Sequence, residues 1–313
     1  MKAKFFVALC IALFMCSCSK EDATSESKKS INEHVVVSDD GTASGNHIFS
    51  AVDDKTFYLD YILYKVKDGH LVVCGYDNLG LKNEANIVSS IAYKGNTYEV
   101  LEIGDDYNSP FYKLTRLTSI VLPSSVTSIG SFAFSGCTGL TSIEIPSSVT
   151  SIDEFAFHGC TSVSFIKVDQ GNNVYDSRES CNAIIESKTN CLIKACNNTR
   201  MPNSINSIGE YAFRGCVDLA SIEIPSSVTY IGKFAFSGCP GLTTIHVLCQ
   251  NPPSLISHVY SSYVDDDSSL YRVYVYSFDP SVLSTAKLYV PKGTKSKYAA
   301  ADGWRYFKNI VEE

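Results

Sequence analysis

The chain has 313 residues, 45% of them apolar, and a formal net charge of −7 at neutral pH. That apolar share is ample for a packed core, and the acidic balance offers no broad attraction to phosphate, which excludes nucleic acid as a natural partner. Length alone would allow two ordinary domains, but an internal period overrides it, because a stacked array grows by adding units to one continuous core.

Lys2 and Lys4 precede an apolar run from Phe5 to Met15. The run is too short to span a bilayer and has the pattern of a secretion signal, expected over residues 1–17. The junction Met15-Cys16-Ser17-Cys18-Ser19 resembles the lipobox of bacterial lipoproteins, where a small residue precedes the lipidated cysteine. Cys18 is the expected lipidation site. Cys16 competes with it from behind the bulkier Met15, and an ordinary signal peptide is the plainer alternative. Lipid chains there would tether the protein to a membrane without spanning it. Ser19-Lys20-Glu21-Asp22 resembles the acidic tag that sends Bacteroidetes lipoproteins to the outer face of the outer membrane, so a lipid-anchored, surface-exposed location is expected. Residues 18–48 are rich in Ser, Thr, Lys, Glu, Asp and Asn, and are expected to form a flexible tether.

Residues 49–103 alternate apolar and polar positions, with Asp68-Gly69 and Lys94-Gly95-Asn96 as hairpin signals. An end unit of a stack must be covered, so this segment is expected to be an N-terminal β cap.

From residue 117 the chain repeats itself: LTSIVLPSSVTSIGSFAFSGCTG (117–139), LTSIEIPSSVTSIDEFAFHGCTS (140–162) and LASIEIPSSVTYIGKFAFSGCPG (219–241), with a further unit ending in MPNSINSIGEYAFRGCVD (201–218). A fixed 23-residue period means stacked units that bury their apolar faces only against their neighbours. Within each unit L-x-x-I-x-I/L reads as a short strand, stopped by a proline at Pro123, Pro146, Pro202 or Pro225. S-S-V-T-x-I-G supplies a second apolar stripe. In x-x-A-F-x-G-C the phenylalanines Phe134, Phe157, Phe213 and Phe236 and the cysteines Cys137, Cys160, Cys216 and Cys239 are expected to plug the core.

The array is expected over residues 104–252, with an insertion at about 169–201 whose apolar runs NAIIE and CLIKA predict a hairpin continuing the stack. Residues 253–313 hold an atypical last repeat, whose stretch from about 253 to 284 is expected to replace the plug, followed by a C-terminal cap bearing Trp304 and Phe307.

With L-x-x-I-x-I-P-x-S-V-T-x-I-G-x-x-A-F-x-G-C in view, the chain resembles the BspA-like, or treponemal-type, leucine-rich repeat surface proteins of Bacteroidetes. The resemblance covers roughly residues 87–313. It implies a mainly β fold with short irregular, 3-10 or helical turns, wound as a right-handed leucine-rich repeat solenoid with a cap at each end. It also implies a surface protein, some relatives being adhesins that bind host or bacterial proteins, and it supplies no catalytic residues.

The sequence carries no H-E-x-x-H, Walker loop, dinucleotide glycine fingerprint or G-x-S-x-G elbow, so no enzyme, cofactor or metal is expected. His158 is read as a surface residue in a variable slot, and Asp265-Asp266-Asp267 as a solvated acidic loop. The repeat cysteines are expected as buried free thiols, while Cys181, Cys191 and Cys196 leave room for one disulfide.

Two surfaces remain as candidate binding sites. One is the outward strip of the strands, comprising Ser119, Val121, Ser142, Glu144, Phe165, Lys167, Ser221, Glu223, Thr244 and His246. The other is Tyr260, Tyr263, Tyr271, Tyr274 and Tyr276, since tyrosine concentrates at recognition surfaces; the same tyrosines also fit an internal strand of the cap. The expected function is non-catalytic binding of a host or bacterial surface protein. A glycan bound by exposed tyrosines and Trp304, or a purely structural envelope role, is the alternative.

Overall fold

The computed structural model describes residues 33–313 except 39–40, 106, 256 and 265–269, and for 257–264 and 270–276 the backbone alone. Cys18 and the acidic triplet lie outside the described residues.

Each repeat lays down two short strands, and strands of successive units pair in parallel into two ladders. In the first, Glu84–Asn86 pairs with Ser119–Val121 and Ser142–Ile145 with Phe165–Val168. Further along, Ser221–Ile224, Thr244–Val247, Lys287–Val290 and Asn309–Glu312 follow one another. In the second, Asn96–Ile103 joins Ser128–Ile129 and then Ser151–Ile152. Beyond a break, Cys191–Ala195 leads through Ser207–Ile208 and Tyr230–Ile231 to Ser254–Leu255. Equivalent residues meet across each rung, as Ile129 meets Ile152. The 23-residue period of the sequence is thus one rung of each ladder. Ile143, Ile145, Ile166 and Val168 are buried, while the residues alternating with them face out. Val121, read as outward, is buried, flanked in its column by Asn86 and Glu144.

A third column closes the core. Phe111, Phe134 and Phe157 stack with ring centroids 5.3 Å apart, and Phe213, Phe236 and Phe278 at 4.9 and 4.7 Å. Each such ring contributes about 1.5–3 kcal/mol relative to leaving it exposed. The column is held by main-chain bonds, the Phe134 N–H donating to the Ala156 carbonyl and the Phe213 N–H to that of Ala235. Two residues after the plug, Gly136, Gly159, Gly215 and Gly238 take φ of 70–78°, a left-handed turn that glycine makes without a Cβ penalty.

The stretch after residue 252 does not replace the plug, as expected, but delays it. Ser257–Val264 runs out antiparallel to Leu270–Tyr276, and the chain returns with the Phe236 N–H donating to the Ser277 carbonyl and Phe278 on the ring stack. Trp304 is wholly buried against Phe278 and Phe307, its Nε1 donating to the Pro253 carbonyl at 2.7 Å. A ring so placed cannot stack on a sugar.

At the N-terminal end seven strands form a sheet in the order His34–Val36, Ser90–Tyr93, Asn96–Ile103, His70–Tyr76, Ile62–Lys67, Thr56–Leu59 and Phe49–Ala51. Asp68-Gly69 and Lys94-Gly95 make two of its hairpin turns, all four residues at positive φ. His34–Val36 lies inside the segment read as a tether. Its Val35-Val36-Val37 run supplies two buried side chains, Val35 and Val37, so order begins ahead of residue 49.

Midway, both ladders are interrupted by the hairpin Ala183–Glu186 with Cys191–Ala195. Its adjacent isoleucines divide, Ile184 packing into the core cluster before it and Ile185 into the one after. Side chains cap the strand edges left open: Asn182 Oδ1 accepts the Ile166 N–H at 2.6 Å and Ser177 Oγ the Val168 N–H at 3.0 Å. In the second ladder the Tyr175 hydroxyl accepts the Ile152 N–H at 3.1 Å. All nine cysteines among the described residues are free thiols, including Cys181, Cys191 and Cys196.

Candidate interaction surface

The strand strip exists, but in two short patches. Register sets Glu144 beside Lys167 and Ser142 beside Phe165, whose ring is 42% exposed. Past the hairpin, Glu223 lies beside His246, and His246 beside Tyr289. The His246 ring stacks on Tyr289 at 4.6 Å and its Nδ1 bonds Glu313 Oε1 at 2.7 Å, so this imidazole is already engaged. The hairpin unit separates the patches, because Asn182 and Ser177 close the ladder edge where the next strand would pair.

Tyr260, Tyr263, Tyr271, Tyr274 and Tyr276 lie on the two antiparallel strands after Ser254–Leu255, with Tyr263 opposite Tyr271 in register. Their side chains lie outside the described residues.

A third surface escaped the sequence reading. The residue before each Ala-Phe plug is aromatic, at Phe132, Phe155, Tyr211 and Phe234, and these rings form a continuous column on the opposite side of the turn from the buried stack. Phe132 stacks on Phe155 at 5.1 Å, Phe155 meets Tyr211 at 5.0 Å, and Tyr211 stacks on Phe234 at 5.4 Å. Tyr112 extends the row by an edge contact with Phe132. Tyr112 and Phe132 are 46% and 38% exposed, and the other three rings are half-buried. The signal was present as [FY]-A-F, but the first aromatic was absorbed into the plug motif.

Local backbone explains the outward aim. Phe132, Tyr211 and Phe234 sit at φ of 53–57°, a left-handed conformation that bulky side chains rarely adopt. It turns these rings away from the core while the next two residues, Ala and Phe, turn in. Strain recurring at one repeat position persists because the stacked neighbours on each side hold it. Cations flank the row: the Arg214 guanidinium lies 5.4 Å from the Tyr211 ring centroid and 5.9 Å from that of Phe234, and the Lys113 ammonium 4.9 Å from Tyr112.

His158, read as a surface residue, is instead half-buried against Phe155 and Tyr211. Its position follows from the aromatic row, which covers it on two sides. Burial first, and then the charges of Arg214 and Lys194, hold its pKa below the ordinary histidine value. The imidazole is therefore neutral at pH 7.

Comparison with known proteins agrees with this architecture. The model of the BspA type leucine rich repeat region matches residues 103–182 and 183–284, in six copies. Solved structures that match include a leucine rich cell surface protein from Faecalibacterium prausnitzii, 18% identical over 84% of this chain and 96% of that one, with a TM-score of 0.39. A leucine-rich repeat protein of Bacteroides ovatus is 29% identical over 62% of this chain and 48% of its own, with a TM-score of 0.40. The leucine rich repeat protein of T. pallidum is 26% identical over 59% of this chain and 68% of its own, at 0.34. No curated protein matches the chain. The repeated strand, plug and glycine turn, matched over more than half of the sequence, place this chain in the BspA-type leucine-rich repeat family.

Proposed function

We propose that this chain is a non-catalytic protein-binding repeat protein of the bacterial surface, and that the aromatic row from Tyr112 to Phe234 is its contact face. The carrying observation is the row itself: five rings in contact, on a rigid array, with Arg214 lying over two of them. Aromatic residues and arginine are the types that dominate binding energy at protein interfaces, since they bury much area for little lost rotamer freedom. The partner is a host or bacterial surface protein. Membership of the BspA-type leucine-rich repeat family supports a location at the bacterial surface. In this reading Cys18 carries the lipid anchor in the outer membrane, and the residues after it hold the array away from the bilayer.

Binding to a panel of purified matrix and plasma proteins tests the contact face. Phe132→Asn with Phe234→Asn removes two rings while asparagine keeps the left-handed turn, and should weaken binding at least about tenfold. Binding unchanged by the pair, or selective binding of neutral glycans in its place, overturns the reading. Cys18→Ala should move the protein from the membrane fraction to the soluble one.

A further inference from the structure

The buried ring stack has one rung without a ring. The Ala195 N–H donates to the Ala212 carbonyl, the same bond that Phe111, Phe134 and Phe213 make to Ala133, Ala156 and Ala235. By register Ala195 therefore occupies the phenylalanine slot. Phe157 is stacked by Phe134 on one side, and beyond it the next rung supplies only a methyl group. Ser151–Ile152 also pairs with no strand of the hairpin among the described residues. At this break in the second ladder, with Ile152 on one side and Cys191 and Ile193 on the other, lies a cavity of about 360 Å³. That is room for about a dozen waters at roughly 30 Å³ each.

One wall of the cavity is positive. Lys194, the residue before the missing ring, lines it and is only 8% exposed. Among the described residues its ammonium has no hydrogen-bond or ion-pair partner. Its stem is buried while the ammonium reaches the solvent of the cavity, so an anion entering there meets an unpaired cation. Neutral His158 and the Tyr211 ring line the cavity beside it. The lining also carries three carboxylates, Asp153, Glu154 and Glu210. Glu210 is paired with Lys233 at 2.9 Å, while burial and then the like charges of Glu210 and Asp153 raise the Glu154 pKa. Such carboxylates accept hydrogen bonds from hydroxyl groups.

We propose that this cavity binds a carboxylated monosaccharide of the hexuronic-acid class, with the carboxylate on Lys194, the ring against the Phe157 and Tyr211 side, and hydroxyls donating to Glu154 and Glu210. A lone acidic side chain would fill too little of the space and leave the carboxylates unused. A neutral sugar would leave Lys194 unpaired. The site shares the Tyr211 ring with the aromatic row, but its charged groups, Lys194 and Glu154, lie outside that row.

Titration of the purified protein with sodium glucuronate, glucose and sodium glutamate, followed by NMR, tests the assignment. Glucuronate should bind saturably, with glucose and glutamate weaker by about tenfold or more. Lys194→Met removes the cation at nearly constant volume and should abolish glucuronate binding. The exposed Glu154→Gln, which leaves the core untouched, should weaken glucuronate by several-fold. Equal binding of glucose or glutamate, or unchanged affinity in both variants, overturns the proposal. Phe132→Asn alone, which leaves the Tyr211 ring and its Phe234 neighbour in place, should leave glucuronate binding intact and so keeps this test distinct from that of the contact face.

Discussion

Cys137 Sγ donates to the Phe111 carbonyl oxygen, 3.0 Å away and 26 residues earlier. The bond recurs from Cys160 to Phe134 at 3.1 Å and from Cys239 to Phe213 at 3.2 Å. Each thiol thus fills space beneath its own turn and satisfies a carbonyl of the unit before. Burial pushes the Cys137 and Cys239 pKa up to about 12 and that of Cys160 up to about 11. Since the thiolate is the reactive form, iodoacetamide at pH 8 should label these positions only after unfolding. Fast labelling of the native protein would contradict a buried thiol ladder.

The two aromatic columns should separate cleanly by stability. Phe134→Ala or Phe213→Ala removes a wholly buried ring from the stack and should cost about 3–5 kcal/mol in urea denaturation. Phe132→Asn, at an exposed ring with φ 54°, should stay within about 1 kcal/mol of the parent. Similar losses at both positions would mean that the outer row is part of the core.

His47 ties strands of the N-terminal sheet to its leading segment, with Nδ1 on Asp60 and Nε2 3.0 Å from Glu33. Burial pulls its pKa down, but the hydrogen bonds and charges of Asp60 and Glu33 outweigh it, and the net shift is upward. A raised histidine pKa contributes stability that is complete below the unfolded value near 6.5 and is lost as pH rises through the folded value. Tm should therefore fall between pH 6 and the upper end of that window, and His47→Gln should flatten the fall. A parent whose Tm rises over the same range rules this clasp out.

Close approach between turns makes Gly232 more demanding than Gly209. A Cβ at 232 would lie 2.6 Å from the Glu210 nitrogen in the regular neighbouring turn, whereas at 209 it would lie 3.1 Å from the Leu192 carbonyl in the irregular hairpin. Gly232→Ala should cost about 1–3 kcal/mol, and Gly209→Ala less. The reverse order in thermal melts would show that the hairpin is the stiffer neighbour.

Local periodicity made most of the fold legible. Equivalent residues 23 positions apart have equivalent surroundings in a stack, so the strand pattern, the proline stops and the Phe134 and Cys137 columns could be read as core before any coordinates. The hairpin at NAIIE and CLIKA was legible for the same reason, as two apolar runs around a polar turn. The aromatic row was half legible. The letters at Phe132, Phe155, Tyr211 and Phe234 are plain, but adjacent aromatics do not say which one turns outward, and at Phe132, Tyr211 and Phe234 a positive φ accompanies the outward turn. Trp304 misled because composition alone does not show that Pro253 offers its carbonyl to the indole.

What the sequence by itself determined is the repeating unit: its 23-residue length, its inward columns and the ends where the pattern stops, all properties of short-range order that a stack copies from turn to turn. Only the tertiary structure decided what happens where the copying fails. Which residue of the hairpin occupies the phenylalanine rung depends on a main-chain bond from Ala195 to Ala212, and no periodic pattern runs through the insertion to predict it. The same register leaves Ser151–Ile152 without a partner strand in the hairpin, and the cavity that Lys194 lines opens at that break.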